Sequence, residues 1–167
     1  MKTYKQQLGV GLMEVLVTLL ILAIGVLGFI ALQYRALEAM GEGENRIQAI
    51  NIARDLAEKM RVNRSVLPVY AQTLATPVSI LPRPNCFQSL CTPTQKAVFD
   101  ATFIKLSAQR IGMSINMFDC PEVNNGRQCA YIAWNDTAAT MGDSPEDCTT
   151  NTGSYQPTST CIVMEVY

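Results

Sequence analysis

The chain has 167 residues, a net charge of −1 and no histidine. That length holds one modest domain beside a hydrophobic segment. Its interspersed charges lack the basic face nucleic-acid binding needs, and the missing histidine removes the commonest general base and the commonest metal ligand together. With no nucleophile elbow, glycine-rich phosphate loop or paired-carboxylate signature, the chain reads as a non-enzyme, with no catalytic residue, cofactor, metal or small-molecule substrate.

From Val15 to Leu32 runs a stretch of 18 residues without a formal charge. As a helix it is about 27 Å long, close to the thickness of a bilayer core. The apolar run is too long, and its small-residue matches too weak, for a conventional cleaved secretory signal. Lys2 and Lys5 are the only charges ahead of Glu14, so the positive-inside rule puts the N-terminus in the cytoplasm and the chain after Tyr34 across the membrane. Glu14 is the anomaly. A carboxylate toward the bilayer centre costs roughly 3 kcal/mol on insertion scales.

After Leu32 the helical pattern changes character. Ile47, Ile50, Ala53, Leu56, Ala57 and Met60 make one apolar stripe, with charged and polar residues on the other faces. Asp55 with Lys59, and Glu58 with Arg61, have ion-pair spacing. One helix continuing to about Asn63 is expected, with a bend or soft point at Gly41 and Gly43 in "MGEGEN" rather than a domain boundary. Residues 65–91 read as loop because Pro68, Pro77, Pro82 and Pro84 interrupt them.

"CTPTQKAVFDATFIKLSAQRIG" then supplies a second helix. Thr92 caps it, Pro93 suits its first position, Gln95 completes a capping box, and Gly112 sits past its end. Its core stripe is Val98, Ala101, Ile104, Ala108 and Ile111. The segments 113–118, 129–134 and 161–167 read as strands from their β-branched and aromatic content. Residues 135–160 read as a polar loop, with Ser144-Pro145-Glu146 starting a brief helix. The acids Asp143, Glu146 and Asp147 match no EF-hand spacing and read as solvated loop residues. Trp134 reads as core. The fold class is therefore α+β: a long N-terminal helix packed on a small antiparallel sheet, with the stripe at 47–60 covering the sheet's apolar face.

All six cysteines, Cys86, Cys91, Cys120, Cys129, Cys148 and Cys161, lie on the translocated side. An even number in an oxidising compartment reads as three disulfides. The absence of both C-x2-C spacing and histidine argues against zinc. Sequence cannot choose rigorously among the possible pairings. Nearest-neighbour pairing, Cys86–Cys91, Cys120–Cys129 and Cys148–Cys161, is expected because each pair brackets a turn-rich stretch.

Gly9-Val10-Gly11-Leu12-Met13-Glu14, followed by a long apolar helix, resembles the N-terminal signature of type IV prepilins. The resemblance implies a leader over residues 1–9 that a prepilin peptidase removes after Gly9, N-methylation of the new N-terminal Val10, and Glu14 as the fifth mature residue. Val10 and Gly11 stand where the family usually has Phe or Met and then Ser or Thr. "RIQAINIARDLAEKMRVNRS" and "CFQSLCTPTQKAVFDATF" resemble the corresponding stretches of the PilV-type minor pilins. That resemblance implies residues 10–34 as the transmembrane and assembly half of the helix, 35–64 as its amphipathic half, and 65–167 as a periplasmic head. It implies an inner-membrane subunit that joins other minor pilins and the major pilin in a priming or tip complex and ends on the pilus at the cell surface. Glu14, paired with a neighbouring subunit's N-terminal amine, would set register. The alternatives are a type II secretion minor pseudopilin, a tip adhesin that would use residues 135–160, and a plain signal-anchored periplasmic domain.

Overall fold

A computed structural model describes residues 11–121 and 126–167. The chain divides into two compact units, Met1–Gly43 and Glu44–Tyr167. Helix α1 (Leu12–Val62) supplies the first unit and opens the second, and it is unbroken through Gly41 and Gly43. In the first unit its described side chains are all exposed, apolar ones included. A helix that is apolar all round presents no single face to a core.

In the second unit, α1 becomes amphipathic. Its buried residues are Ala49, Ala53, Leu56, Ala57 and Met60. Two members of the expected stripe depart from it, since Ile47 is exposed and Ile50 only half-buried. Ala49, Ala53 and Ala57 recur every fourth residue, so the small side chains form the contact ridge and the larger isoleucines fall to its flank. Both expected ion pairs form: Lys59 Nζ lies 3.6 Å from Asp55, and Arg61 lies 2.9 Å from Glu58.

Residues 65–91 are not wholly loop. A 3-10 turn (Arg64–Val66) leads into α2 (Leu67–Ala75), which buries Tyr70 and Leu74. Pro68 stands in the first turn of α2, where its missing N–H has no partner to lose, so it opens the helix instead of breaking it. Lys105 donates to the carbonyls of Leu74 and Thr76, the latter at 2.8 Å, and so places a cation on the end of α2.

Helix α3 (Pro93–Arg110) has the capping box that Thr92 and Gln95 predict, with both reciprocal bonds present. Gly112 follows it at φ +74°, a left-handed conformation suited to a residue without Cβ. Ala97, Ala101, Ile104 and Ala108 are buried, whereas Val98 is half-buried and Ile111, beyond the last turn, is exposed. The same helix buries Asp100, whose carboxylate lies 2.5 Å from Lys96 and 3.9 Å from Lys59. A buried carboxylate needs such partners, and here they come from α1 and α3.

Strands β1 (Met113–Asp119), β2 (Gln128–Trp134) and β5 (Cys161–Glu165) form an antiparallel sheet with β2 central. Ala130, Ile132 and Trp134 join the helix-side core with Met113, Ile115 and Met117. The expected α+β arrangement, with the stripe of α1 over the sheet, is present. The opposite face is also covered. Residues 135–160, expected to be loop, contain β3 (Ala138–Met141) and β4 (Asp147–Thr149), which pair in parallel. Ala139 and Cys148 pack with Tyr131 and Ala133 on that face. Ser144-Pro145-Glu146 forms a turn closed by the Asp147 N–H donating to the Ser144 carbonyl at 3.0 Å, not the start of a helix. The Asp147 carboxylate accepts from Thr140 at 2.5 Å and from the Ser144 N–H at 3.0 Å, which pins the turn.

Candidate functional site

The described residues begin at Gly11, inside the signature at residues 9–14. Gly9 and Val10, the expected cleavage and methylation positions, lie outside the described residues. The Gly11 carbonyl accepts from the N–H groups of Glu14 at 2.9 Å and Val15 at 3.3 Å, so the helical ladder starts there. Glu14 therefore occupies the first turn, where the free N–H groups favour a negative side chain. It is exposed and has no ion-pair partner among the described residues.

Beyond Glu14, α1 has an 18-residue window of mean hydropathy 3.0, none of it buried, and is long and apolar enough to cross a membrane. Its one hydroxyl in the charge-free run, on Thr18, donates to the Val15 carbonyl at 2.9 Å and so needs no outside partner. The next charges, Arg35 and Glu38, pair at 3.1 Å. Among the described residues, the surface of this half is apolar from Val15 to Leu32, and the Glu14 carboxylate at its start has no ion-pair partner.

The head that follows is cross-linked at three places. Cys86 is joined to Cys91, Cys120 to Cys129, and Cys148 to Cys161, with Cα–Cα distances of 5.7, 5.0 and 5.8 Å. The first closes a short loop ahead of α3, on which Phe87 meets the rings of Phe99 and Phe103 edge-on at 4.9 and 5.4 Å. The second joins the end of β1 to β2. The third ties β4 to β5 and fastens the back layer to the sheet. Trp134 is buried in the core. Arg64 donates to the Arg61 carbonyl at 3.2 Å, consistent with a cation serving the end of α1.

Residues 31–102 match the family model described as Tt1218-like, type IV pilin Tt1218. The chain is similar to a type IV pilin. The matched segment runs from the end of the apolar stretch through α2 into α3, so neither Glu14 nor the sheet lies within it. Comparison with curated proteins and with solved structures gives no match. The similarity supports a pilin subunit, which is a structural protein and not an enzyme, and assembly with other pilins. The long apolar helix, the small antiparallel sheet and the three disulfides are consistent with the type IV pilin fold.

Sequence reasoning missed the supports of the head. Asp100 and Lys105 lie on α3 among residues read only for their apolar spacing. The four-residue step from Lys96 to Asp100 was the one available signal, and nothing in the sequence tells that Asp100 is buried.

Proposed function

We propose that the chain is a minor type IV pilin of the PilV type, made as a prepilin, cut after Gly9 and methylated on Val10. Cutting there creates an ammonium one helical turn from Glu14. In lipid each of these charges needs a partner, because an unpaired charge is heavily penalised and a paired one much less so. In a filament the carboxylate of one subunit meets the Val10 amine of the next. Apolar helices otherwise slide along one another, so the pair sets the axial stagger. The subunit acts with other minor pilins to prime fibre assembly, with its N-terminus cytoplasmic and its head periplasmic before assembly. The observation that carries this reading is the exposed apolar half of α1 with a carboxylate in its first turn.

Two measurements test it. The protein recovered from its native membrane should begin with methylated Val10, and a chain still beginning at Met1 in cells with an active prepilin peptidase returns the protein to a plain signal-anchored domain. Glu14→Ala should leave membrane insertion intact and abolish the subunit's contribution to piliation. Normal piliation by that variant ends the register hypothesis.

A further inference from the structure

We propose that Cys86–Cys91 is a thiol–disulfide exchange site, which a dithiol reductant opens while the head stays folded, and that opening it releases the turn bearing Phe87 from α3. The inference does not use the pilin reading and stands or falls apart from it. The three links differ in cover. Cys120, Cys129, Cys148 and Cys161 are buried, none more than 7% exposed, and belong to the core layer that packs Tyr131 and Ala133. Cys86 and Cys91 are half-buried, and Phe87, Gln88, Ser89 and Leu90 between them are exposed. Exchange requires a thiolate to reach a sulfur. Cover therefore protects two links and leaves the third open to attack.

The surroundings also set the direction of attack. Cys86 Sγ lies 3.7 Å from the Pro84 carbonyl oxygen and 3.9 Å from that of Gln95. Two carbonyl oxygens this close disfavour negative charge on that sulfur. Cys91 immediately precedes the Thr92 cap of α3, where the positive end of a helix favours a thiolate. Cys91 is therefore the better leaving group. A thiolate of the reductant bonds to Cys86 Sγ, the Cys86–Cys91 bond breaks, and its electron pair leaves on Cys91. The reductant's second thiolate then displaces Cys86 from the mixed disulfide. The reductant ends as its own disulfide, and its two protons end on Cys86 and Cys91.

The link fastens a turn that is built without it. The Asn85 side-chain oxygen accepts from the Phe87 N–H at 3.0 Å, and the Asn85 carbonyl accepts from the N–H groups of Gln88 at 3.0 Å and Ser89 at 3.1 Å. None of these bonds passes through the disulfide, so the turn outlasts reduction and keeps the two thiols near enough to re-form the link. The turn is tied to α3 by the link and by Phe87, whose ring meets those of Phe99 and Phe103 edge-on. Phe99 is only 1% exposed, with Phe87 resting on it. Opening the link lets the turn leave α3 and uncovers Phe99.

Titration of the full chain with dithiothreitol, in detergent micelles and without denaturant, tests this. Free thiols are blocked with N-ethylmaleimide and mapped by peptide mass. Cys86 and Cys91 should be labelled together at a dithiothreitol concentration roughly tenfold or more below that which opens either other link. In that state amide exchange should rise over residues 85–92 and at Phe99, and stay unchanged in β1, β2 and β5. Phe87→Ala removes the ring contacts that favour the closed turn and should lower the required concentration by about fivefold. Brief treatment with glutathione should leave glutathione on Cys86 and N-ethylmaleimide on Cys91. Three links opening together, or Cys148–Cys161 opening first, overturns the exchange site. Selective opening with unchanged amide exchange over residues 85–99 overturns the release of the turn, as does a Phe87→Ala chain that opens no more easily. Glutathione on Cys91 overturns the direction of attack.

Discussion

The two halves of α1 share a secondary structure and little else. Between Leu12 and Gly43 every described side chain is exposed, and leucines, isoleucines and valines point in all directions. Between Glu44 and Val62 the buried residues are three alanines, Leu56 and Met60, and the outer faces carry ion pairs. The first half is written for a solvent other than water. In water, each large apolar side chain left exposed forfeits roughly 1.5–3 kcal/mol of burial. The second half is written for a partner already in the same chain, the sheet and the two shorter helices. The same helix is thus stabilised twice, once by its surroundings and once by a core.

That contrast can be broken from either side. The largest effect is expected from Leu20→Lys combined with Ile24→Lys, which places two cations in the apolar half at about 3 kcal/mol each on insertion scales. Fractionation should show the protein lost from the membrane, while the thermal unfolding of its head is unchanged. The reverse experiment is Leu56→Ala. Leu56 is fully buried, so this change should cost about 2–5 kcal/mol of head stability in a denaturant titration and leave the membrane fraction alone.

The disulfides sharpen the comparison, since they serve only the second unit. Replacing Cys148 and Cys161 together by alanine opens a link with a sequence separation of 13. A loss of about 3 kcal/mol follows from chain entropy, and amide exchange should rise first in β3 and β4, which that link fastens to the sheet. The smallest effect is alkaline. Burial raises the pKa of Tyr70, with a hydrogen bond from Asn63 opposing and the charge of Asp100 adding to it. Burial likewise raises that of Tyr131, with Thr149 opposing. The folded head holds these protons longer than the unfolded chain, so their contribution is complete below the ordinary tyrosine value near 10.0 and is lost as pH rises beyond it. Burial lowers the pKa of Lys105, which acts in the opposite sense just below 10.5. Denaturant midpoints should fall above about pH 10, and Tyr70→Phe should flatten that fall.

The helix-side half of the head was largely legible. The Thr92–Gln95 box, the ion pairs of α1 and the β-branched and aromatic residues of β1, β2 and β5 are local patterns that specify their own structure. α2 was not, because Pro68 signals a break when read alone and a first turn only once Tyr70 and Leu74 are seen to have a core to enter. Strands β3 and β4 were not, because four and three residues in a polar stretch carry too little periodicity to register. They exist because the far face of the sheet, with Tyr131 and Ala133, needs cover, and the Cys148–Cys161 link holds them against it. Similarly, Glu14 is conspicuous in the sequence as a charge among leucines, whereas the cover over each disulfide has no sequence signature. Which sulfurs are shielded depends on which layers pack over them.

By itself the sequence determined what each local stretch becomes and which solvent it suits: an apolar helix with one carboxylate, an amphipathic continuation, a capped helix, three strands and six cysteines. Tertiary structure alone decided which apolar residues are core, with Ala49 taken and Ile47 left out, and which polar ones are buried, as with Asp100. It also decided which disulfide stays accessible. Helix periods and caps follow from interactions between residues a few positions apart, whereas burial and register depend on surfaces that meet only after the chain has folded.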